Sequence, residues 1–140
     1  MTDEFLALVQ RIIEPRLVQL GFQLDEVRDV VEQGRKASMV FFRSHDCKIQ
    51  IYYSSREGEI NAMIGPLDAP NQHGQYDRSG KWHYFNDFAN QPKSSLEELV
   101  RQRRDECANF ETTAKWLEWI KRERIDRYFD SAHAAIVGER

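Results

Sequence analysis

Residues 37–54 read ASMVFFRSHDCKIQIYYS, and this stretch decides the fold. Two runs rich in β-branched and aromatic residues, 37–44 and 47–54, are separated only by His45–Asp46. Such runs fit a pleated, half-buried surface. A two-residue gap joins them as an antiparallel hairpin, although His-Asp is not the preferred Asn-Gly chemistry. In the second run Ile49, Ile51 and Tyr53 share one face, while Lys48, Gln50 and Tyr52 share the other. The alternation predicts one buried and one wet face.

Moving outward toward the C-terminus, 59–65 (EINAMIG) continues the sheet with Ile60, Ala62 and Ile64 on one side. Residues 55–58 join the two strands, and Gly58 can take the positive φ that such a turn needs. A turn accounts for the polar residues there without invoking a site. Residues 65–81 form a long irregular stretch with two prolines and three glycines. Loops of this length in a compact domain are commonly functional or mobile. The aromatic run 82–88 (WHYFNDF) reads as a last strand or as a segment closing over the core.

Toward the N-terminus, 22–27 reads as a short strand, and 30–35 is ambiguous, ending in a turn at Gln33–Gly34. Before it, Phe5, Leu6, Val9, Ile12, Ile13, Leu17 and Leu20 recur at helical spacing. Thr2 suits a cap and Gly21 a stop. Pro15 lies inside the pattern and should kink or split the helix while burial keeps both halves in place. At the far end, Ser95 and Glu98 form a capping box. Leu96, Leu99, Val100, Cys107 and Phe110 follow in helical phase up to a break near 111–113. A final helix starts near Ala114, with Leu117, Ile120, Ile125, Tyr128 and Phe129 inward and Trp116 and Trp119 flanking. The expected architecture is a single α+β domain over 1–140: an N-terminal helix, an antiparallel sheet of about four strands, and two C-terminal helices packed on one face.

The chain has 140 residues, 41% hydrophobic and 31% charged, which suits a globular domain that buries its own core. The net charge of -3 argues against a general nucleic-acid binder. Glu97–Arg101, Glu111–Lys115, Glu118–Arg122 and Glu123–Arg127 are i,i+4 pairs with the acid first. The basic residues of the C-terminal region therefore read as a self-paired, solvated face. The opening MTDEFLALVQ has acids where a signal peptide carries lysines, and no apolar run reaches the ~20 residues of a membrane span. Cys47 and Cys107, in no CxxC spacing, read as reduced thiols, so a cytoplasmic location is expected.

Site chemistry is sparse. No P-loop, GxSxG, GxGxxG or HExxH pattern occurs. His45, Cys47, His73, His83 and His133 include no metal-ligand spacing, and the two ligands flanking the hairpin tip fall short of zinc's usual four. No cofactor or metal is expected. A Cys–His nucleophile stays open, because such partners need not be neighbours in sequence. The absence of motifs leans the reading away from an enzyme. What remains is a surface around the long loop: Arg56, His73, Tyr76, Arg78, Trp82 and Tyr84, with Asn61, Asp68 and Asp77 beside them. Tyr, Trp and Arg carry much of the energy at protein interfaces. For Trp82, packing in the core is the favoured alternative.

The order of features resembles a broad set of small bacterial α+β proteins. The resemblance rests on Leu20-Gly21-Phe22 ending a capped helix, the paired hairpin, Gly58–Ile60 with Ile64–Pro66, and Trp82-x-Tyr84 before C-terminal helices. Some proteins of this kind are regarded as immunity proteins, which bind and neutralise a toxin. The resemblance implies a non-enzymatic cytoplasmic protein-binding module with a protein partner and no catalytic residues to carry over. The long insert 67–81 departs from that pattern. The alternative is a small-molecule or enzymatic site beneath the 66–81 loop. A homo-oligomer is compatible with either; a nucleic-acid or membrane partner is not expected.

Overall fold

Helix α1 (Thr2–Ile12) begins the chain, and Ile13 separates it from the short α2 (Glu14–Gln19). The computed structural model describes residues 2–32, 34–54, 59–74, 77–85 and 112–137. The side chain of Thr2, expected as a cap, the Gly58 turn, the Ser95–Glu98 capping box and its helix, Cys107, and the Glu97–Arg101 and Glu111–Lys115 pairs fall outside what is described.

Pro15 splits the first helix as its missing N–H requires. It sits in the first turn of α2, where an N–H would have no helical partner in any case. The Ile13 N–H still reaches the Val9 carbonyl at 2.9 Å, and the Leu17 N–H reaches that of Ile13 at 3.1 Å. Both halves therefore keep one buried stripe: Phe5, Val9, Ile12, Ile13 and Leu17. Full burial of each such side chain contributes roughly 1.5–3 kcal/mol. Gly21, at φ +95°, ends α2. The Phe22 N–H bonds the Leu17 carbonyl at 2.9 Å and the Gly21 N–H that of Val18 at 3.0 Å. This is a Schellman cap, closed by buried Phe22 and Leu17.

Five strands follow in a meander ordered β1-β2-β3-β4-β5, each antiparallel to the next. They are β1 (Gln23–Glu32), β2 (Arg35–Arg43), β3 (Cys47–Ser54), β4 (Glu59–Pro66) and β5 (His83–Tyr84). The sheet thus has one strand beyond the four expected, and β5 spans two residues. The short strand expected at 22–27 is ten residues long, because β1 pairs with β2 as far as Glu32↔Arg35. A bulge lies near the start of β1. Leu24 pairs with Phe42 and Glu26 with Phe41, so Asp25 is the extra residue. It lets Leu24 and Val27, three apart, address the same face. At the β2–β3 tip the Ser44 N–H meets the Cys47 carbonyl at 3.0 Å, which leaves the expected two-residue loop.

The C-terminal helix comprises α3 (Thr113–Ile120), a π-helical segment (Lys121–Asp126) and α4 (Arg127–Val137). Thr112 caps it by accepting the Lys115 N–H at 3.1 Å. Leu117, Ile120, Ile125, Tyr128 and Ala132 are buried. The step from Ile120 to Ile125 is five residues, out of phase for an α-helix. The wider i→i+5 turns absorb the extra residue and return Ile125 to the buried face. They also change the surface pairing. Glu123–Arg127 forms at 3.1 Å, while Arg122 lies 3.6 Å from Glu123.

One core lies between these helices and the sheet: Val40 and Phe42 of β2, Cys47, Ile49 and Ile51 of β3, and Ile60, Ala62 and Ile64 of β4 meet α1, α3 and α4. The opposite face corrects the expectation of a wet side. Lys48, Gln50 and Tyr52 are buried there. A second cluster of Met39, Phe41, Tyr52, Met63, Ala69 and Trp82 covers that face, because the β4–β5 connection folds back across it. The sheet is a middle layer between helices and a loop.

Candidate functional site

The β4–β5 connection is held down by polar side chains of the strands beneath it. Lys48 Nζ donates to the Ala69 carbonyl at 2.8 Å and to Asn71 Oδ1. Gln50 Nε2 donates to the Gln72 carbonyl at 3.1 Å, and its Oε1 accepts from the Gly74 N–H at 3.2 Å. A lysine and a glutamine on a covered face thus find the partners that burial demands. Burial pulls the Lys48 pKa below its ordinary value, and Arg43 adds to this; Asp25 and Glu26 work in the opposite direction. The Lys48 ammonium also lies 5.9 Å from the ring centres of Phe41 and Trp82.

Asn71 is the hub. Its amide nitrogen donates to Asp25 Oδ2 at 3.1 Å and to Glu26 Oε1 at 2.7 Å, while its carbonyl accepts from Arg28. One loop residue therefore joins β3 to β1. Gly74 allows the loop to lie this close. A Cβ there would stand 2.5 Å from Met63 Sδ and 2.8 Å from Trp82 Cβ.

The residues singled out in the sequence divide between support and surface. His73 is buried, with its ring 4.4 Å from that of Tyr52. Trp82 is buried too; its Nε1 donates to the Pro70 carbonyl at 2.8 Å and its ring lies 6.0 Å from that of Phe41. Tyr84 is half-buried, its hydroxyl 3.2 Å from that of Tyr52. Burial, the Tyr84 bond and the Glu59 charge all push the Tyr52 phenol far above its ordinary range. His73, Trp82 and Tyr84 converge in and around the second core, so they shape the loop from within. Arg78 is exposed. Arg56 and Tyr76 lie outside the described residues. Sequence reasoning missed Asn71, Lys48 and Gln50, whose roles depend on strands that lie far from the loop in sequence.

The β2–β3 tip carries a second constellation. Asp46, Cys47 and His133 bring one ligand-type atom each to within 4.8 Å of one another. His133 Nε2 sits 2.9 Å from Asp46 Oδ2, across 87 residues of sequence. Ser44 organises the turn: its hydroxyl donates to Asp46 Oδ1 at 2.9 Å and accepts the Cys47 N–H at 3.2 Å. The His133 ring stacks on Phe129 at 5.2 Å. Burial alone would raise the Asp46 carboxyl, but the Ser44 and His133 bonds and the His133 and His45 charges outweigh it and hold it low. Burial pushes the Cys47 thiol up to about 12, against the pull of Ser44. A thiol so raised is protonated and a poor nucleophile by itself.

No family model, no curated protein and no solved structure matches this chain. Among the described residues no helix is long and apolar enough to cross a membrane.

Proposed function

We propose that the protein is a non-enzymatic binding module of the immunity type that its feature order resembles, and that it engages another protein along the edge of β1. The observation that carries this reading is the strand itself. Among the described residues β1 pairs on one side only, with β2. It runs ten residues, with Leu24 39% and Val31 68% exposed. An open edge of this length is a template for strand addition, in which backbone bonds supply affinity and alternate side chains supply specificity.

Charge narrows the partner. The β1 sequence QLDEVRDVVE holds four acids (Asp25, Glu26, Asp29, Glu32) and one base (Arg28), so 1 − 4 gives −3. An extended segment rich in Lys and Arg is the complementary occupant. A second copy of β1 would set like charges side by side, which weighs against a homo-oligomer through this edge. The Asn71 hub braces Asp25, Glu26 and Arg28 from the loop side, so little ordering is left to do on binding. A small-molecule or enzymatic site beneath residues 66–81 is less favoured, since Met39, Phe41, Tyr52, Met63 and Trp82 fill that space. A cytoplasmic location is in keeping with the free thiol of Cys47.

A photo-crosslinking residue at Val31 tests this, with exposed Ser131 of α4, toward the other end of the sheet, as control. In the cells that make the protein, Val31 should trap one partner protein that Ser131 does not. A folded variant that traps nothing at Val31, or the same proteins at both positions, would contradict a β1 interface.

A further inference from the structure

We propose that Asp46, Cys47 and His133 form a binding site for a divalent transition-metal ion of the zinc type, with His45 as fourth ligand. The sequence shows only the two ligands His45 and Cys47 at the hairpin tip; the fold brings in His133 from α4 and turns Asp46 toward it. The three ligand atoms lie within 4.8 Å of one another, and His45 Nε2 is 3.6 Å from the same Asp46 oxygen that meets His133. Ligands at about 2.0–2.3 Å from a tetrahedral zinc ion sit about 3.3–3.8 Å apart, so shifts of about an ångström close the trio around one ion, and His45, which lies outside that group, would swing in to join it. The donors are one thiol sulfur, two imidazole nitrogens and one carboxylate oxygen. That mixture suits zinc or cobalt rather than calcium or magnesium, which prefer oxygen alone.

The surroundings are arranged as for a ligand set. Ser44 holds the second Asp46 oxygen at 2.9 Å and lies 3.6 Å from the Cys47 sulfur. Phe129 fixes the plane of the His133 ring. Such outer contacts orient metal ligands and tune them. Cys47 is buried and His133 half-buried, whereas the His45 side chain is 90% exposed and able to swing in last. Among the described residues no other such trio occurs. Binding would replace the Cys47 thiol proton, released to solvent, with the metal bond, and would tie the β2–β3 tip to the C-terminal helix.

Cobalt(II) titration of the chelator-treated, full-length protein tests the site. One equivalent should bind with a thiolate-to-cobalt charge-transfer band and the visible absorption of a four-coordinate ion, and zinc should displace it. The band should vanish in Cys47→Ala and persist in Cys107→Ala. Ser44→Ala should weaken binding by about tenfold, and His133→Ala by more. Circular dichroism identifies folded variants; if Cys47→Ala does not fold, His133→Asn at its half-exposed position should show the loss of affinity instead. A folded wild-type protein that gives no cobalt–thiolate band overturns the site, as does a band of unchanged affinity in His133→Ala or His133→Asn.

Discussion

Asn71 Nδ2 donates to Glu26 Oε1 at 2.7 Å, so the tip of the β4–β5 connection reaches the opposite edge strand of the sheet. The loop is therefore a structural layer whose polar atoms complete the second core. The same contact stiffens the strand that we assign to partner binding.

Asn71→Ala tests that role. The substitution leaves Lys48, buried on the loop-covered face, without its Asn71 acceptor. It also frees Asp25 and Glu26 from their shared donor. Lys48 keeps the Ala69 carbonyl, so what it loses is one hydrogen bond to a charged group, about 1.5–3 kcal/mol. An ordinary surface-loop alanine falls within about 0.5 kcal/mol. Urea unfolding should show a loss in the larger range. A change within about 0.5 kcal/mol would mean that the loop is not anchored this way.

Gly74→Ala probes the same layer from its inner side. The added Cβ meets Met63 Sδ at 2.5 Å and Trp82 Cβ at 2.8 Å. The Met63 tip can yield, but Trp82 Cβ lies next to its backbone. Overpacking of this kind costs typically about 1–3 kcal/mol. Combining it with Met63→Ala should cost less than the two single changes summed, because the cavity accepts the new methyl. Strict additivity in denaturant unfolding would contradict this close approach.

The two core faces differed in how legible they were. The hairpin, the Leu20-Gly21-Phe22 stop and the Pro15 break follow from local spacing, whereas the buried stripe of the final helix does so only to Ile120, beyond which the π-helical turns restore its phase. The alternation of Ile49 and Ile51 with Lys48 and Gln50 also suggested a wet face. That inference failed because Lys48 and Gln50 can be buried once a loop brings carbonyls and an amide to their ends. The length of β1 was hidden beyond Val27, where the adjacent Val30 and Val31 point to opposite faces among charged residues and break the alternation. Neither Asn71 against Glu26 nor His133 against Asp46 leaves a local trace, since 45 and 87 residues separate the partners.

Acid should weaken the join between the β2–β3 tip and α4. The Asp46 carboxyl is held below its ordinary value of 3.8 in the folded protein. Its contribution is therefore fully present above pH 3.8 and lost as pH falls through the lower, folded value. For metal-free protein, unfolding measured from pH 6 downward should show wild type losing stability relative to Asp46→Asn only in that acid window. A difference between the two that stays constant down to full acid unfolding would show that Asp46 is not favoured as its carboxylate.

The most direct measurement of a β1 interface is amide hydrogen exchange, compared between the free protein and its complex with the partner trapped at Val31. Strand addition predicts slowed exchange in Gln23–Glu32, since outward-facing N–H groups gain acceptors, with the interior strands β3 and β4 unchanged. Protection confined to α3 and α4, with β1 exchanging as in the free protein, would contradict it.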